Sequence, residues 1–454
     1  MTKGSGTTSR RKFVTAAGAA VAAPMIVPRS ALGQLGGQAP APVQPGGQAP
    51  GRAGGQASAV APSDRIIIGG IGLRGRGRED LRSLLPDPRV QFVAIADIRE
   101  DARESVKSIV DQHYGNGNCV MYHDDGELLA REDIEAVMIA TSDRWHACMA
   151  IWAAQSGKDI YTEKPAAITI AEAYAMADNV RRYGVMYQAG CQRRNVPNFE
   201  LAVGLARSGK LGRLLAVHAN TQRTLTPLGH SWWPEEKPEP NPLVFDWDQW
   251  LGPCPWRPYN ARYPDGGRGS FWDFHGGILE WASHTVDICQ WAADMDHTQA
   301  IEYEPKPNSN YVYSRYANGL RLIMRDQEWL GMGTCSARFE GTEGWIETGD
   351  SGKMEMSENL RRYYQPVNMV GTDPSRHIQD WLNSIRSRVP PRANHVSTCN
   401  AHVTSHAAYI ACQLGRKLTW DPAKRAFVND EEANRMRSRA YREPWRTDAL
   451  ATSM

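Results

Sequence analysis

The stretch "RIIIGGIGLRGRG", residues 65–77, decides the fold. Ile66, Ile67 and Ile68 begin a short apolar run that reads as a buried strand. Gly70, Gly72 and Gly75 follow at the spacing of a dinucleotide loop, with Ile71, Leu73 and Arg74 between them. The first two glycines permit a tight turn and the close approach of a pyrophosphate to the backbone. The third is expected to let helix and strand pack, and the next helix turns its N-terminus to the negative charge. Asp97 gives this pattern its context, because it ends a second strand, "VQFVAIAD" (90–97). An acid there accepts hydrogen bonds from the adenosine ribose and repels a 2′-phosphate, which favours NAD over NADP. Arg99, close by, pulls the other way.

Strands and helices go on alternating. "AVMIAT" (136–141), "DIYTEKP" (159–165) and "VMYQAG" (185–190) read as strands, separated by helical "HACMAIWAAQSG" and "TIAEAYAMADNVRRYG". The order implies a doubly wound parallel sheet over residues 64–190. From 191 to 446 the pattern changes. A helix, "NFELAVGLARSGKLG", and a strand, "RLLAVHANTQR", lead into Pro-, Gly- and Trp-rich loops over 226–275. The runs "QAIEYEP", "NYVYSRYANGLRLIMRD", "GTCSARFEGTEGWIETG" and "GKMEMS" then follow one another without helices, which implies an open, mainly antiparallel sheet. Helices return at "SRHIQDWLNSIRSR" and "HAAYIACQLGRKL". The fold class is α/β: an N-terminal Rossmann domain with a doubly wound parallel sheet, then an α+β domain.

Composition narrows the function. Of 454 residues 41% are hydrophobic and 22% charged, with a net charge of +2. The charges are interspersed, so nucleic acid has little to bind. No uninterrupted apolar run reaches membrane-spanning length, so no span is expected once the N-terminus is removed. That N-terminus, "SRRKFVTAAGAAVAAPMIVP", pairs Arg10 and Arg11 ahead of Phe13 and a short small-residue stretch. It reads as a twin-arginine export signal over 1–34, with a periplasmic destination. Proteins on that route fold first, so a cofactor would be loaded in the cytoplasm. Residues 35–63 repeat "GGQAP" and read as a flexible spacer. Eight cysteines are scattered without a CxxC pair, which argues against a zinc site and a disulfide framework.

The chemistry concentrates in "GGILEWASHTVDICQWA", residues 276–292, where Glu280, His284 and Asp287 share one helix face. Oxidising a secondary alcohol releases a hydroxyl proton, and a histidine is a suitable general base. A lysine can stabilise the developing alkoxide, and Lys164 stands at a strand end that should line the crevice. On this reading His284 is the base, Lys164 the electrophilic partner, and Glu280 orients them or meets substrate. Asp287 orients the histidine or binds a hydroxyl. The same helix also permits a satisfied core histidine. A metal site is the third option, since Glu280 and His284 can chelate and His275 is near in sequence, but no third ligand is evident. Trp232, Trp233, Trp247, Trp250, Trp256, Trp272, Trp281 and Trp291 either wall a carbohydrate pocket or pin the loops. Arg193 and Arg194 either bind a polar substrate or are solvated. His402 and His406 read as packing or helix-surface residues.

Taken in order, "GIGLRGRG", "ATSDRWH", "YTEKP" and "GGILEWASHTVD" resemble the glucose–fructose oxidoreductase, inositol dehydrogenase and MocA (Gfo/Idh/MocA) superfamily. "FDWDQWLGPCPWRPY" and "HIQDWLNSIRSR" resemble its exported branch. The resemblance implies that Gly70, Gly72, Gly75 and Asp97 bind NAD(P), with Thr141, Trp145 and His146 against the cofactor. It implies that Glu163 and Lys164 border the nicotinamide, that Gln192 belongs to the site, and that the C-terminal sheet forms homo-oligomer contacts. The chain departs from the pattern in two places. The usual "TPDHWH" reads Thr141-Ser142-Asp143-Arg144-Trp145-His146, and the acid before the catalytic histidine is Glu280 instead of Asp. The expected activity is hydride transfer between nicotinamide and a secondary hydroxyl of a sugar, glycoside or cyclic polyol, with the cofactor retained. The alternatives are redox-assisted glycoside cleavage or elimination, and a non-catalytic carbohydrate-binding protein on the same scaffold.

Overall fold

Strand β1 (Ile66–Ile71) lies in the middle of a six-stranded parallel sheet, and burial of both its faces is why its sequence is continuously apolar. The structure, a computed structural model, describes residues 61–222, 234–267, 271–307, 309, 311–326, 329–364 and 373–445. The expected export signal, nearly all of the expected spacer, Trp232 and Trp233 lie outside the described residues. The described residues before Arg65 belong to a separate unit and include a 3-10 turn at Pro62–Asp64.

After β1 come α1 (Arg76–Leu84), β2 (Val90–Ala96), α2 (Glu100–Tyr114), β3 (Val120–Tyr122) and α3 (Asp125–Leu129). They are followed by β4 (Ala136–Ile139), α4 (Asp143–Gln155), β5 (Asp159–Thr162), α5 (Ile170–Tyr183) and β6 (Tyr187–Ala189). The strand order is β3-β2-β1-β4-β5-β6, and every pairing is parallel. The order reverses between β1 and β4, which opens a crevice beyond their carboxyl ends. This is the expected Rossmann sheet.

The second layer system contains α6 (Pro197–Arg207), β7 (Leu214–Asn220), α7 (Trp247–Leu251) and α8 (Leu279–Ala292). Strands β8 (Glu302–Pro305), β9 (Tyr311–Arg315), β10 (Arg321–Arg325), β11 (Ala337–Gly341), β12 (Trp345–Thr348) and β13 (Met354–Met356) come next. The chain ends through α9 (Ser375–Ser387), α10 (His395–Leu414), β14 (Leu418–Asp421), β15 (Ala426–Phe427) and α11 (Glu431–Arg435). The nine-stranded order is β13-β12-β11-β7-β10-β9-β8-β14-β15. All its pairings are antiparallel except β7 with β10. Between those two the chain runs through α8, and a crossover of that kind returns a strand parallel. Val286 and Ile288 of α8 share a buried core with Val217 of β7 and Phe339 of β11, so this sheet fixes the pitch of the helix that bears His284.

The cores do not follow the linear order. Ile378, Trp381, Leu382 and Ile385 of α9 form an apolar stripe that packs with Leu81 and Leu84 of α1 and with Phe92 of β2. A helix from the C-terminal stretch thus completes the core of the first domain. The loop-rich stretch builds a small core of its own. Trp247 and Trp250 stack with ring centroids 4.8 Å apart, and Phe245, Tyr263, Phe271 and Phe274 surround them. Trp272 stacks on Tyr409, 5.2 Å away. Of the named tryptophans that are described, Trp247, Trp250 and Trp272 pin the loops, Trp256 is exposed, and only Trp250 and Trp281 line the crevice.

Candidate active site

The crevice beyond β1 and β4 is a cleft of about 850 Å³, lined by both layer systems. Its floor is the glycine loop. Gly72 has φ +71°, and a Cβ there would lie 2.5 Å from Thr141 Cγ2, so the loop and the end of β4 touch only because no side chain intervenes. Gly75 has φ +49° and caps α1 without a side-chain hydrogen bond, so its exposed face and the helix N-terminus stand open to an anion. The close helix–strand contact expected of Gly75 belongs instead to Gly77, where a Cβ would meet Ala140 Cβ at 2.7 Å. Gly70 and Leu73 do not line the cleft. A Cβ on Gly70 would strike Leu73 and Phe92, and Leu73 is fully buried in the core. Ile71 and Arg74 do line it.

Asp97 sits at the end of β2 and accepts the Arg99 backbone N–H at 2.9 Å. Burial pushes its carboxyl up to about 6, while Arg74 and Arg103 pull it back. The open glycine loop, the uncapped helix and this acid fit an NAD. Only the carboxylate accepts both ribose hydroxyls well, so affinity should fall as pH drops through about 6. In nucleotide-free protein, Asp97→Asn is expected to weaken NAD about 10- to 100-fold at pH 7.5 and to abolish that pH dependence. Calorimetric titration at pH 7.5 and 5 would show it. A wild-type affinity that does not change with pH would contradict this role.

Lys164 and Glu280 meet across the cleft. Lys164 Nζ donates to the Glu280 carbonyl at 3.0 Å and to Oε1 at 3.2 Å, and lies 5.9 Å from the Trp281 ring centroid. The other Glu280 oxygen, Oε2, is 3.2 Å from His275 Nε2. The hydrogen bond from His275, with Lys164 beside it, holds the Glu280 carboxyl down at about 2. Glu280 therefore orients the lysine, and its partners do not include His284. Asp143, His275 and Glu280 bring potential metal-ligand atoms within 4.8 Å of one another, so a third ligand group does exist. Its donors are already committed. Gly277 N–H donates to His275 Nδ1 at 2.9 Å, which leaves the neutral ring's proton on Nε2, pointed at Glu280. Asp143 Oδ2 takes the Gly276 N–H at 3.2 Å. The triad braces the start of α8 and offers a cation no free nitrogen lone pair. Asp143 was not singled out in the sequence although it lies within "ATSDRWH", whereas His275 was noted for its nearness to Glu280.

The remaining candidates divide. Glu163 is buried; its Oε1 accepts from Gln192 Nε2 (2.6 Å) and Tyr161 (3.1 Å), and Gly190 leaves it room. Gln192 is thus a strut for Glu163 as well as a lining residue. Trp145 lines the cleft and donates to the Gln249 carbonyl at 3.1 Å. His284 lines the cleft too, but its Nε2 faces Arg193 Nη1 at 3.1 Å. Burial, with Arg193 next, pushes this imidazole well below the usual range. Asp287 is not in the site. It is 1% exposed and binds Arg194 through both oxygens at 2.6 and 2.8 Å, with Asp296 on the guanidinium's other side. One turn along a helix is a rotation of some degrees past the cleft, and Arg194 captures the carboxylate there. Arg194 is correspondingly structural, not solvated.

Three buried histidines hold the loop after Lys164. His146 Nδ1 donates to the Pro165 carbonyl at 2.7 Å, and Ala166 N–H donates to His402 Nε2 at 2.9 Å. His406 Nε2 stands 3.4 Å from the Ala167 carbonyl. Burial drives His402 down to about 4 and likewise His377 to about 3. Below pH 6.5 the unfolded chain takes up protons that these rings refuse, so stability falls as pH falls. Each should cost roughly 2 kcal/mol between pH 6.5 and 5. The urea midpoint should drop clearly from pH 7 to 5, and less so in His402→Gln; equal wild-type midpoints would refute it. The eight cysteines are all free, and seven are buried.

Residues 65–191 match the oxidoreductase family described by its NAD-binding Rossmann fold, and residues 204–447 match its C-terminal alpha/beta domain. The chain belongs to the Gfo/Idh/MocA oxidoreductase family. Its Rossmann domain is accordingly NAD-binding. Within reach of this Gfo/Idh/MocA chain, a glycosyl hydrolase family 109 protein of Shewanella baltica is 32% identical over 217 residues, 45% of this chain and 44% of that protein. The alpha-N-acetylgalactosaminidase of Shewanella oneidensis is 32% identical over 167 residues, 34% of this chain and 35% of that one. The chain thus matches less than half the length of these curated relatives. In fold it is similar to a levoglucosan dehydrogenase solved with NADH and levoglucosan, with TM-score 0.55 and 17% identity over 78% of this chain and 99% of that one. No described helix is long and apolar enough to cross a membrane.

Proposed function

We propose that this protein is an NAD-dependent oxidoreductase acting on a secondary hydroxyl of a sugar, glycoside or cyclic polyol. The observation that carries the reading is the Lys164–Glu280 ion pair in the same cleft as the glycine loop and Asp97. When bound, NAD supplies the hydride acceptor and, once reduced, the donor. The chain's residues do the rest. Lys164 offers N–H donors to a substrate oxygen that gains negative charge. Glu280 holds that ammonium in place, and the Trp281 face gives a sugar ring an apolar wall. Arg10 and Arg11 support export to the periplasm, where no pool of free NAD would be available for exchange, so the cofactor would stay bound. The open C-terminal sheet would serve contacts between copies.

A second reading, redox-assisted glycoside cleavage, is favoured by the similarity to the family 109 proteins. The same residues would then hold a ring ketone oxygen while the neighbouring carbon gives its proton to water and the glycosidic oxygen leaves as an alcohol; water would add to the resulting enone before the ketone is reduced again. One experiment addresses both. Nucleotide released on denaturing purified protein is measured first. A panel of sugars, polyols and nitrophenyl glycosides is then followed at nicotinamide absorbance and by product analysis. Retained NAD with absorbance changes supports the first reading, and glycoside cleavage without net nucleotide change supports the second. Neither nucleotide nor turnover would sink both.

A further inference from the structure

The buried guanidinium beside His284 has no part in the reading above. Arg193 is 8% exposed and stands on the 3-10 turn Gln192–Asn195, just after β6. Two of its nitrogens are clamped by Asp350, from the loop after β12, with Nε to Oδ1 at 3.0 Å and Nη2 to Oδ2 at 2.7 Å. Thr334 Oγ1 donates to the same Oδ2 at 2.7 Å and steadies the carboxylate. A bidentate fork fixes the plane of the guanidinium, so the direction of its third nitrogen is fixed as well. That nitrogen, Nη1, points at His284 Nε2 (3.1 Å) and reaches Gln192 Oε1 at 3.4 Å.

An arginine can only donate. The His284 Nε2 lone pair must therefore receive the Arg193 proton, and the ring's own proton must sit on Nδ1. His284 is 3% exposed, and its Nδ1 has no hydrogen-bond partner among the described residues. We propose that Arg193, clamped by Asp350, is a positioning residue that locks His284 as the neutral Nδ1–H tautomer and withholds its Nε2 lone pair from proton transfer. Under this lock the expectation that His284 is the resting general base fails, because Nε2 could take a proton only after Arg193 withdrew. The charged or titratable groups around the ring act in the same direction: Lys164 at the end of β5, Arg76 at the start of α1, His377 on α9 and Arg193 itself all disfavour a charged imidazole. The acids of the surrounding elements are engaged elsewhere, Glu280 with Lys164 and His275, Asp287 with Arg194, Asp350 with Arg193, and Glu163 with Gln192 and Tyr161.

The kinetic half of this inference rests on the cleft being a redox site; the tautomer half does not. The test is nitrogen NMR of the folded full chain labelled with 15N-histidine, with His284→Gln to assign the signal. The expected result is one protonated nitrogen, Nδ1, and one unprotonated nitrogen, unchanged from pH 5.5 to 8.5. Arg193→Met should release the ring, giving titration shifted up by more than one pH unit or a switch to Nε2–H. Asp350→Asn, a milder change, should do the same in part. With an active substrate in hand, the pH profile of kcat in Arg193→Met should gain an ionisation between pH 5.5 and 7.5 that the wild type lacks. A wild-type His284 that carries its proton on Nε2, or titrates between pH 5.5 and 7.5, overturns the lock whatever the variants do. An unchanged tautomer and titration in a folded Arg193→Met also overturns it. The predicted tautomer with no turnover on any sugar would leave the lock standing and remove the redox reading instead.

Discussion

Replacing Lys164 by Met is expected to lower kcat/KM on the active substrate by about 10²- to 10³-fold while leaving stability within about 1 kcal/mol. The two halves of this expectation have separate causes. A preorganised donor aimed at developing oxyanion charge is worth roughly 3–4 kcal/mol in the transition state. As a structural contact, the Lys164–Glu280 pair is worth little, because its side chains are 21% and 38% exposed and water competes for both. Glu280 also keeps its His275 hydrogen bond when the ammonium is gone, so no buried charge is orphaned. Rates on the best substrate and urea midpoints, measured side by side, separate the halves. A variant that keeps its rate would remove Lys164 from the chemistry. One that unfolds would make the ion pair structural.

Asp287→Asn should give the reverse pattern: a stability loss of about 3–5 kcal/mol with little change in rate per folded molecule. Arg194 is fully buried and answers to two carboxylates, Asp287 and Asp296. Burial pushes the Asp287 carboxyl up and Arg194 pulls it back, so the pair stands only because each charge compensates the other. Removing one charge leaves a guanidinium in a dry interior with only the half-buried Asp296 to balance it, and such losses are large. Urea denaturation at pH 7 reads the cost directly. A hundredfold fall in kcat with an unchanged midpoint would return Asp287 to the site.

These two residues show where the sequence was legible. The glycine loop, the acid at the end of β2 and the alternation of strand and helix are local signals. Each is carried by residues near one another in the chain, and the parallel sheet followed from them. Lys164 was found because a doubly wound sheet gathers the carboxyl ends of its strands at one crevice. Asp287 was misread because helical periodicity ranks residues by face only to within a turn. The side that a carboxylate finally takes depends on what waits there, and Arg194 comes from a different element, ninety-three positions away in sequence. Gly77 was missed for a related reason: its value lies in Ala140, just after β4, pressing on it, a contact that no spacing within the loop reports.

The sequence by itself therefore determined the α/β class, the nucleotide loop and the family, since these rest on short-range periodicity and on residues whose backbone freedom or charge is needed in place. The tertiary structure decided the partners. It joined Lys164 to Glu280 and Glu280 to His275, turned Arg193 onto His284, moved Asp287 into the core, and took a C-terminal helix to finish the first domain's core. A side chain's proton affinity and role depend on which groups desolvate it and which share its hydrogen bonds. Those neighbours are assembled by folding from segments far apart in the chain.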